Sequence, residues 1–263
     1  MHNNGSGTGV QLGILYILFQ IINVGLNEIP YVTLITIIGQ VLLYMRVVKL
    51  PWTNYEVCVN VSAILEKKDY RRLILAVFEH ANDMHLYYNM MSYLIKGKYL
   101  EKKYGSRNFL FLLLFLSLAS TIIDVLLCYG FSVWLKSPYL MNACGIGFSG
   151  VLYAFKVIIY METAHLPWGI NGLPISSKYI AWIELIVFHI LTPDASFIGH
   201  LAGILAGFLY TNTPIGFIFD FTVSKITGKV VQSFTFYYFR SRFIAQDWIF
   251  LQVILSYTII MIL

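Results

Sequence analysis

Long apolar runs, separated by short polar stretches, set the pattern of this chain. A helix needs about 20 apolar residues to cross a bilayer, and six runs approach or reach that length. The pattern therefore predicts an all-α polytopic membrane protein in which these runs form the core spans. They cover residues 31–48, 80–95, 109–131, 144–161, 179–192 and 197–212.

Two further apolar runs flank the predicted core. Residues 10–26 are at the lower length limit for a span, and residues 248–263 are also short. The pattern leaves open whether either run crosses the membrane or lies at its interface. The predicted units are an N-terminal segment with an extra apolar helix at 1–29, a six-helix core at 30–212, and a C-terminal region with a candidate membrane-associated helix at 213–263.

The connections differ in length and charge. Residues 1–9 are polar and rich in Gly and Asn, which predicts disorder. Residues 49–84 form the longest connection, and within it 64–80 mixes charged with apolar positions. Such an amphipathic first loop is typical of a segment lying in the membrane interface. Residues 96–107 are predicted to form a short basic loop.

Composition supports the membrane assignment. The 263 residues are 58% hydrophobic and 12% charged, with a mean hydropathy of +0.71, whereas soluble domains carry about 25% charged residues. The net charge of +5 comes from basic residues beside apolar segments, which excludes a nucleic-acid partner and identifies the lipid bilayer as the environment. The uneven distribution of Lys and Arg between the two sides of the predicted core modestly favours a cytosolic N-terminus. In that orientation the start of the 144–161 helix faces the lumen or exterior.

The cysteines and one sequon add little at this level. Cys58, Cys128 and Cys144 show neither a disulfide framework nor a metal-binding spacing, so we expect neither. Asn60 begins the triplet Asn-Val-Ser and is a candidate N-glycosylation site if the first loop is lumenal.

The segment with the clearest chemistry is Gly147-Phe148-Ser149-Gly150, which opens the 144–161 helix. Glycines beside a serine let another backbone approach closely, because they carry no Cβ. The first N–H groups of a helix also lack intrahelical partners and attract negative charge. Ser149 is therefore a candidate nucleophile, with the N–H groups of Phe148 and Ser149 as candidate oxyanion donors. Read alone, the motif is a weak signal and is more often a turn or a packing contact.

A candidate base lies on another span. His200 is on a helix where Gly199, Gly203 and Gly207 recur every four residues, a spacing that allows close helix packing. It is either a general base for Ser149 or a histidine that only hydrogen-bonds a neighbouring helix. No acidic residue stands where a third member would be needed, so the sequence favours a dyad. Tyr153, one turn after Ser149, either orients the imidazole or is an ordinary core aromatic.

His85 and Asn89 are four residues apart and share a helix face. They are candidate oxyanion donors, and the alternative is a hydrogen-bonding pair that only joins two helices. A zinc site built from His80, His85 and Asn89 is a poorer interpretation, because Asn is a poor zinc ligand and no HEXXH motif is present. We expect neither a metal nor a cofactor.

Taken together, these motifs resemble the rhomboid family of intramembrane serine proteases. The resemblance implies a six-transmembrane-helix bundle, a Ser149 nucleophile, a His200 base, an oxyanion site formed with His85 and Asn89, and no cofactor. It implies transmembrane segments of single-pass or polytopic membrane proteins as substrates. The matching residues are His80, His85 and Asn89, then Gly147, Phe148, Ser149, Gly150 and Tyr153, then Gly199, His200 and Gly203.

The resemblance is greatest to an endoplasmic-reticulum branch of the family that is associated with degradation of membrane clients. It implies an endoplasmic-reticulum membrane location. That branch has a ubiquitin-binding tail, but no acidic ubiquitin-interacting helix follows Thr211, so ubiquitin stays an open partner. The alternative function is a non-proteolytic rhomboid-like adaptor that binds membrane clients, and a transporter or channel is a third class.

Two charges inside the spans need a separate explanation. Lys156 is seven residues after Ser149 on roughly the same helix face, and Glu184 is in the middle of the 179–192 run. We predict that they pair across the two helices and hold them together. The alternative is that Lys156 extends to the membrane interface.

Overall fold

A computed structural model describes residues 12–47, 50–164, 169–170, 173–174 and 177–241. The predicted disordered residues 1–9 and the apolar run 248–263 lie outside the described residues. Apart from one antiparallel pair of two-residue strands, the described elements are helical. The helices are α1 Leu12–Val24, α2 Tyr31–Tyr44, α3 Asn54–Val57, α4 Val61–Leu65, α5 Arg72–Leu75, α6 Asp83–Tyr104, α7 Ser106–Trp134, α8 Tyr139–Asn142, α9 Ser149–Glu162, α10 Ser177–Leu191, α11 Phe197–Asn212 and α12 Pro214–Thr227, with 3₁₀ turns at Leu26–Glu28 and Ala76–Phe78 and the strands β1 Gly169–Ile170 and β2 Leu173–Pro174.

Helix α9 lies at the centre of the bundle. It packs against α6, α7, α10 and α11, and its side chains from Val151 to Phe155 are all buried. A helix that is apolar on every side is stable only when other helices surround it. The surrounding helices expose apolar side chains outward, among them Leu114, Ile186 and Phe197. This arrangement suits a protein whose outer surface meets lipid.

Helix length varies within the bundle. Among the described helices, Ser106–Trp134 is long and apolar enough by itself to cross a membrane, by length and composition. Phe197–Asn212 and Pro214–Thr227 pass the same criterion only as a pair, and they are bent by 71° with respect to each other. Helix α9 has 14 residues and is about 21 Å long, less than the ~30 Å hydrocarbon thickness. The loop before α9 therefore has to enter the bundle to reach its first residue.

Glycines bring α9 and α11 into backbone contact. A Cβ on Gly203 would overlap the carbonyl oxygen of Gly150, and a Cβ on Gly207 would lie 2.7 Å from Val157 Cβ. Any larger residue at these two α11 positions forces the helices apart. The predicted close approach through this glycine stripe is confirmed. It fixes the separation of the helices that carry Ser149 and His200.

Helix α1 crosses beside α6 and does not lie flat across the bundle. At its start, the Gly13 N–H donates to Asp83 Oδ2 over 3.1 Å. After its end, Glu28 Oε2 is 3.8 Å from Lys98 Nζ and 3.5 Å from Lys102 Nζ. Because α6 runs from Asp83 to Tyr104, these contacts mark opposite ends of α6, and α1 extends between them.

This crossing corrects the expected topology. The bundle end where α9 begins also holds Asp83 and His85, and we call it the serine end. Leu12 starts α1 at the serine end, beside Asp83. The start of α1 and Ser149 therefore lie at the same end of the bundle, so a cytosolic start of α1 cannot be combined with an outward-facing Ser149.

The predicted basic loop at residues 96–107 is wrong. Helix α6 continues to Tyr104, because Leu100, Glu101 and Tyr104 are buried on one face. Glu101 accepts hydrogen bonds from the Thr33 N–H at 2.7 Å and from the Thr33 hydroxyl at 2.8 Å, which joins α6 to the start of α2. Gly105, with φ of 81°, ends α6 and allows α7 to begin at the next residue.

The first loop, residues 50–82, is amphipathic and packs against the serine end. Ile64, Ala76 and Val77 are buried, whereas Lys67 and Lys68 are exposed. The Thr121 hydroxyl of α7 donates to the Leu73 carbonyl over 2.7 Å. The loop therefore turns its apolar side chains towards the bundle.

The expectation of no disulfide is also wrong. Cys58 of the first loop and Cys144, just before α9, form a disulfide with a Cα–Cα distance of 5.2 Å. Beside it, the Val59 N–H donates to the Gly145 carbonyl at 2.8 Å and the Gly145 N–H donates to the Val59 carbonyl at 3.1 Å. Cys128 is free and buried. The disulfide and this two-bond bridge tie the first loop to the segment that leads into Ser149.

Asn60 is part of the same junction. Its side-chain oxygen accepts from the Ala63 N–H at 2.8 Å and caps α4, and its amide donates to the Ala143 carbonyl at 3.4 Å. Both polar ends of this sequon side chain therefore have partners within the fold. Glycosylation at Asn60 stays a prediction.

Removing the disulfide is expected to destabilise the serine end. The bond closes a loop of 86 residues, for which the chain-entropy relation gives at most about 4–5 kcal/mol; the actual loss is smaller, because membrane helices already restrict the unfolded chain. Thermal unfolding of Cys58→Ser in detergent should show a lower midpoint than the wild type. The control is Cys128→Ser, which breaks no disulfide. A Cys58→Ser midpoint equal to that of the wild type would contradict the anchoring role.

Candidate active site

The structure brings Ser149 and His200 together. Ser149 is the first residue of α9, and its Oγ lies 2.8 Å from His200 Nε2. His200 is 5% exposed and lies in the first turn of α11. The Ser196 hydroxyl caps this helix by accepting from the Gly199 N–H at 3.1 Å. A serine hydroxyl bonded to an imidazole in a water-poor site has the geometry of an activated nucleophile.

The His200 ring is held by other rings. Its Nδ1 is buried and has no hydrogen-bond partner among the described residues. The Tyr153 ring stacks on it with centroids 4.5 Å apart and planes at 30°. His189 and Phe188 meet it edge-on, at 5.0 Å and 5.3 Å between centroids. In a Ser-His-Asp triad the carboxylate orients the imidazole. Among the described residues, contacts with neighbouring rings orient the His200 imidazole instead.

The loop before Ser149 gives His85 a close approach. Gly147 has φ of 125°, and a Cβ there would lie 2.8 Å from His85 Cε1 and 2.9 Å from His85 Nε2. The Ala81 N–H donates to His85 Nδ1 over 3.4 Å, which leaves Nε2 to carry the ring proton in the neutral imidazole. His85 Nε2–H therefore points a donor at the segment that leads into Ser149.

Asn89 adds a second donor one helical turn later on α6. It is 4% exposed, and its Nδ2 has no hydrogen-bond partner among the described residues. Nδ2 lies 3.8 Å from the point where a Cβ on Gly147 would be. A buried amide donor without a partner is costly, so this group is available to an acceptor that enters the site.

Backbone bonds fix the same loop. The Gly147 N–H donates to the Ala76 carbonyl over 3.0 Å. Phe148 is 1% exposed and meets the Tyr93 ring edge-on at 5.1 Å. The N–H groups of Phe148 and Ser149 have no acceptor among the described residues, so they remain open to an anion at the start of α9.

His80 and the remaining glycines surround these groups. The His80 ring is 1% exposed and packs edge-on against His85, with centroids 5.1 Å apart. A Cβ on Gly150 would be 3.3 Å from the Gly199 carbonyl oxygen, and one on Gly199 would be 3.0 Å from Ser196 Oγ. These residues shape the site by packing and not by offering polar atoms to Ser149.

A small cavity of about 50 Å³ adjoins Ser149. Ser120 and Asp124 of α7 line it together with Ser196 and Gly199, and the sequence assigned no role to these two α7 residues. The sequence offered one sign that Asp124 lies near the site: it is a carboxylate inside the apolar run 109–131. Charges in a span usually face a wet cavity or the protein interior. Polar side chains such as Ser120, Asp124 and Ser196 line part of the cavity, and it is large enough to hold ordered water.

The predicted pairing of Lys156 with Glu184 is confirmed. Lys156 Nζ of α9 and Glu184 Oε2 of α10 form an ion pair. Lys156 Nζ also lies 4.3 Å from the centroid of the Tyr153 ring. The alternative, in which Lys156 extends away to the interface, does not describe this side chain.

Replacing Gly147 with Ala is expected to damage the site more than the fold. The new Cβ would meet the His85 ring at less than 3 Å, and φ of 125° is strained for alanine. Activity should fall on the order of a hundredfold, the loss that follows from removing one oxyanion donor. Peptide cleavage and thermal unfolding measure the two effects, and Gly130→Ala, where a Cβ meets nothing within 4 Å, is the matched control. Full activity of Gly147→Ala would contradict this geometry.

Comparison with known proteins agrees with the fold and the site. The family model described as Rhomboid domain matches residues 67–216. Rhomboid-related protein 4 of Homo sapiens is 36% identical over 89% of this chain and 73% of its own length, and that of Mus musculus is 38% identical over 81% and 66%. Rhomboid-like protein 14, mitochondrial, of Arabidopsis thaliana is 40% identical over 59% of this chain and 46% of its own length. The chain therefore belongs to the rhomboid family, as a polytopic helical protein of the membrane.

Proposed function

We propose that this chain is an intramembrane serine endopeptidase that cleaves transmembrane segments of membrane proteins. Ser149 is the nucleophile and His200 is the general base. The observation that carries the proposal is the 2.8 Å contact between Ser149 Oγ and His200 Nε2. It joins residues on two helices, 51 positions apart in the sequence, inside a bundle of apolar helices.

The first half of the reaction forms an acyl-enzyme. Ser149 Oγ attacks the scissile carbonyl carbon, and its proton passes to His200 Nε2. The negative charge that develops on the carbonyl oxygen is stabilised by N–H groups of His85, Asn89 and the backbone at Phe148 and Ser149. Removing one such donor typically costs a factor of about 10²–10³ in kcat. The tetrahedral intermediate then collapses, and His200 gives its proton to the departing amine.

The second half releases the product. A water molecule attacks the acyl carbonyl carbon, and His200 Nε2 accepts the proton of that water. Collapse of the second tetrahedral intermediate returns the proton to Ser149 Oγ and frees the new carboxyl group. The cavity lined by Ser120 and Asp124 lies beside Ser149 and supports a local supply of water in an otherwise apolar site.

The surroundings of Ser149 support transmembrane segments as the proposed substrate class. The helices around α9 expose apolar side chains, so a hydrophobic segment reaches the site through lipid. A peptide bond within a helix is shielded by its backbone hydrogen bonds, and the substrate has to unwind locally before Ser149 reaches its carbonyl carbon. Small or helix-breaking residues near the cut therefore favour cleavage.

The proposed location is the endoplasmic-reticulum membrane. The proposed partners are membrane proteins that undergo quality control, and whether ubiquitin is also a partner is left open. The Cys58–Cys144 disulfide supports an oxidising compartment at the serine end. The names of the two mammalian relatives carry no compartment, and the plant relative is described as mitochondrial.

Cell fractionation tests the location. Because the endoplasmic-reticulum lumen permits the disulfide, tagged full-length chain should sediment with endoplasmic-reticulum markers. Non-reducing gels should show the oxidised form, and Cys58→Ser is the control for that band. Sedimentation with mitochondrial markers would contradict the proposed location and leave the proposed chemistry intact.

Replacing Ser149 or His200 with alanine tests the reaction itself. Purified chain is incubated in detergent with a labelled transmembrane peptide, and the products are identified by mass. Either substitution should reduce cleavage by at least about a thousandfold, because the two residues act as a unit. Ser117→Ala is the matched control, since its hydroxyl donates to the Leu113 carbonyl at 2.8 Å within α7.

Three outcomes are informative. Loss of cleavage in both variants, with Ser117→Ala active, supports the proposal. Cleavage that survives Ser149→Ala rejects the serine mechanism. A wild-type chain that binds a panel of transmembrane peptides and cleaves none of them is the result expected of a non-proteolytic adaptor.

A further inference from the structure

The Lys156–Glu184 ion pair is placed where charge is costly. The Lys156 side chain is 19% exposed and lies in the middle of α9, among buried apolar neighbours on the same helix. The Glu184 side chain is 37% exposed, so the pair is partly buried. Desolvation offsets part of the attraction within such a pair, and an apolar pair of similar size often serves stability equally well. Holding α9 against α10 is therefore a weak explanation for charges at this position.

The surroundings of the Lys156 ammonium group offer a stronger one. Its Nζ lies 4.3 Å from the centroid of the Tyr153 ring, well inside the range of a cation–π interaction. Ser149, Tyr153 and Lys156 follow one another at spacings of four and three residues, so they share a face of α9. The Tyr153 ring is 5% exposed and stacks on His200. A continuous series of contacts thus leads from Lys156 to Ser149.

Glu184 fixes the far end of this series. Its Oε2 pairs with Lys156, and its Oε1 accepts a hydrogen bond from the Tyr160 hydroxyl, one turn further along α9. Two partners on α9 leave the carboxylate little freedom. The ammonium group that it binds is therefore held in one place relative to the Tyr153 ring.

His200 needs such support, because hydrogen bonding does not provide it. With Nε2 facing Ser149, Nδ1 has no acceptor among the described residues that would fix the plane of the ring. The Tyr153 ring makes the nearest stacking contact, with centroids 4.5 Å apart. The orientation of the imidazole therefore depends on where Tyr153 lies.

We propose that Lys156, held by Glu184, is a positioning residue for His200 and acts through the Tyr153 ring. This inference rests on the proposed function. Lys156 touches neither substrate nor Ser149 in this arrangement. Its charge keeps the aromatic ring in the place where it supports the imidazole, so that Nε2 stays aligned with Ser149 Oγ. Loss of the charge should slow the reaction of Ser149 and leave substrate binding unchanged.

The test compares Lys156→Met and Lys156→Arg with the wild type. Methionine keeps the length and removes the charge, and arginine keeps both the charge and the ability to lie over an aromatic ring. Misplacement of a catalytic group by about 1 Å costs on the order of a hundredfold. We expect Lys156→Met to lower kcat about tenfold or more. Its KM should stay within about twofold of the wild-type value, and its unfolding midpoint within about 2 °C. Lys156→Arg should recover most of kcat.

A second ion pair between a lysine and a glutamate, also involving α9, provides the control. Lys103 of α6 forms an ion pair with Glu162 at the end of α9, with Nζ 2.5 Å from Oε2. Within the described part of the chain, the aromatic and cation–π contacts of the Tyr153 ring are with His200 and Lys156 and do not include Lys103. Lys103→Met therefore removes the same kind of interaction from α9 without touching the proposed series. Its kcat should match that of the wild type. A loss of kcat as large as that of Lys156→Met would overturn the proposal, because any broken ion pair would then suffice.

The Tyr153→Leu background decides whether the effect passes through the ring. If it does, adding Lys156→Met to Tyr153→Leu causes no further loss, whereas an independent effect of Lys156 repeats its full fold-change. The measured quantity is the rate at which a fluorophosphonate labels Ser149, which requires His200 but no peptide substrate. Equal fold-changes in both backgrounds overturn the proposal.

The two proposals fail in different ways. A wild-type chain that labels at Ser149 but cleaves no peptide contradicts the endopeptidase function, and the labelling rates of the variants still decide the role of Lys156. A chain that cleaves normally with unchanged labelling in Lys156→Met overturns only the positioning role. A wild-type chain that neither labels nor cleaves overturns both.

Discussion

Backbone contact between α9 and α11 is the constraint on which the site depends. A Cβ on Gly203 would overlap the Gly150 carbonyl oxygen, so the two helices are as close as their main chains allow. Such proximity replaces side-chain packing with van der Waals contact along the backbone, which is a main source of helix association in lipid. The same contact sets the distance between a serine at the start of one helix and a histidine in the first turn of the other.

The opposite wall of the site depends on the first loop. The disulfide at Cys58, the Val59–Gly145 bridge and the bond from Gly147 to Ala76 all hold the segment before Ser149. That segment would otherwise be an irregular loop buried at membrane depth, where unpaired backbone groups are costly. Its bonds to the first loop satisfy part of the backbone and leave the N–H groups of Phe148 and Ser149 for a ligand.

The sequence predicted the parts of the site that follow local rules. Glycines beside Ser149 and a four-residue glycine spacing around His200 are visible without a structure, and both indicate close backbone approach. The spacing of Lys156 and Glu184 within apolar runs likewise predicted their pairing.

The Cys58–Cys144 disulfide was not predictable, because its partners are 86 residues apart and no spacing rule joins them. The continuation of α6 through 96–104 was missed because charge suggested a loop, whereas burial of Leu100 and Tyr104 decides the conformation. Asp124 gained significance only when folding placed it on the cavity beside Ser149.

The central claim is that His200 activates Ser149 for attack on a carbonyl carbon. The most direct measurement is a set of pre-steady-state reactions of wild-type chain and His200→Gln with an activated ester of a hydrophobic acyl group, followed by peptide mapping. One acyl adduct on Ser149 is expected in the wild type, and none above background in His200→Gln. Acylation of Ser149 at the same rate in both chains, or acylation of another residue alone, would contradict it.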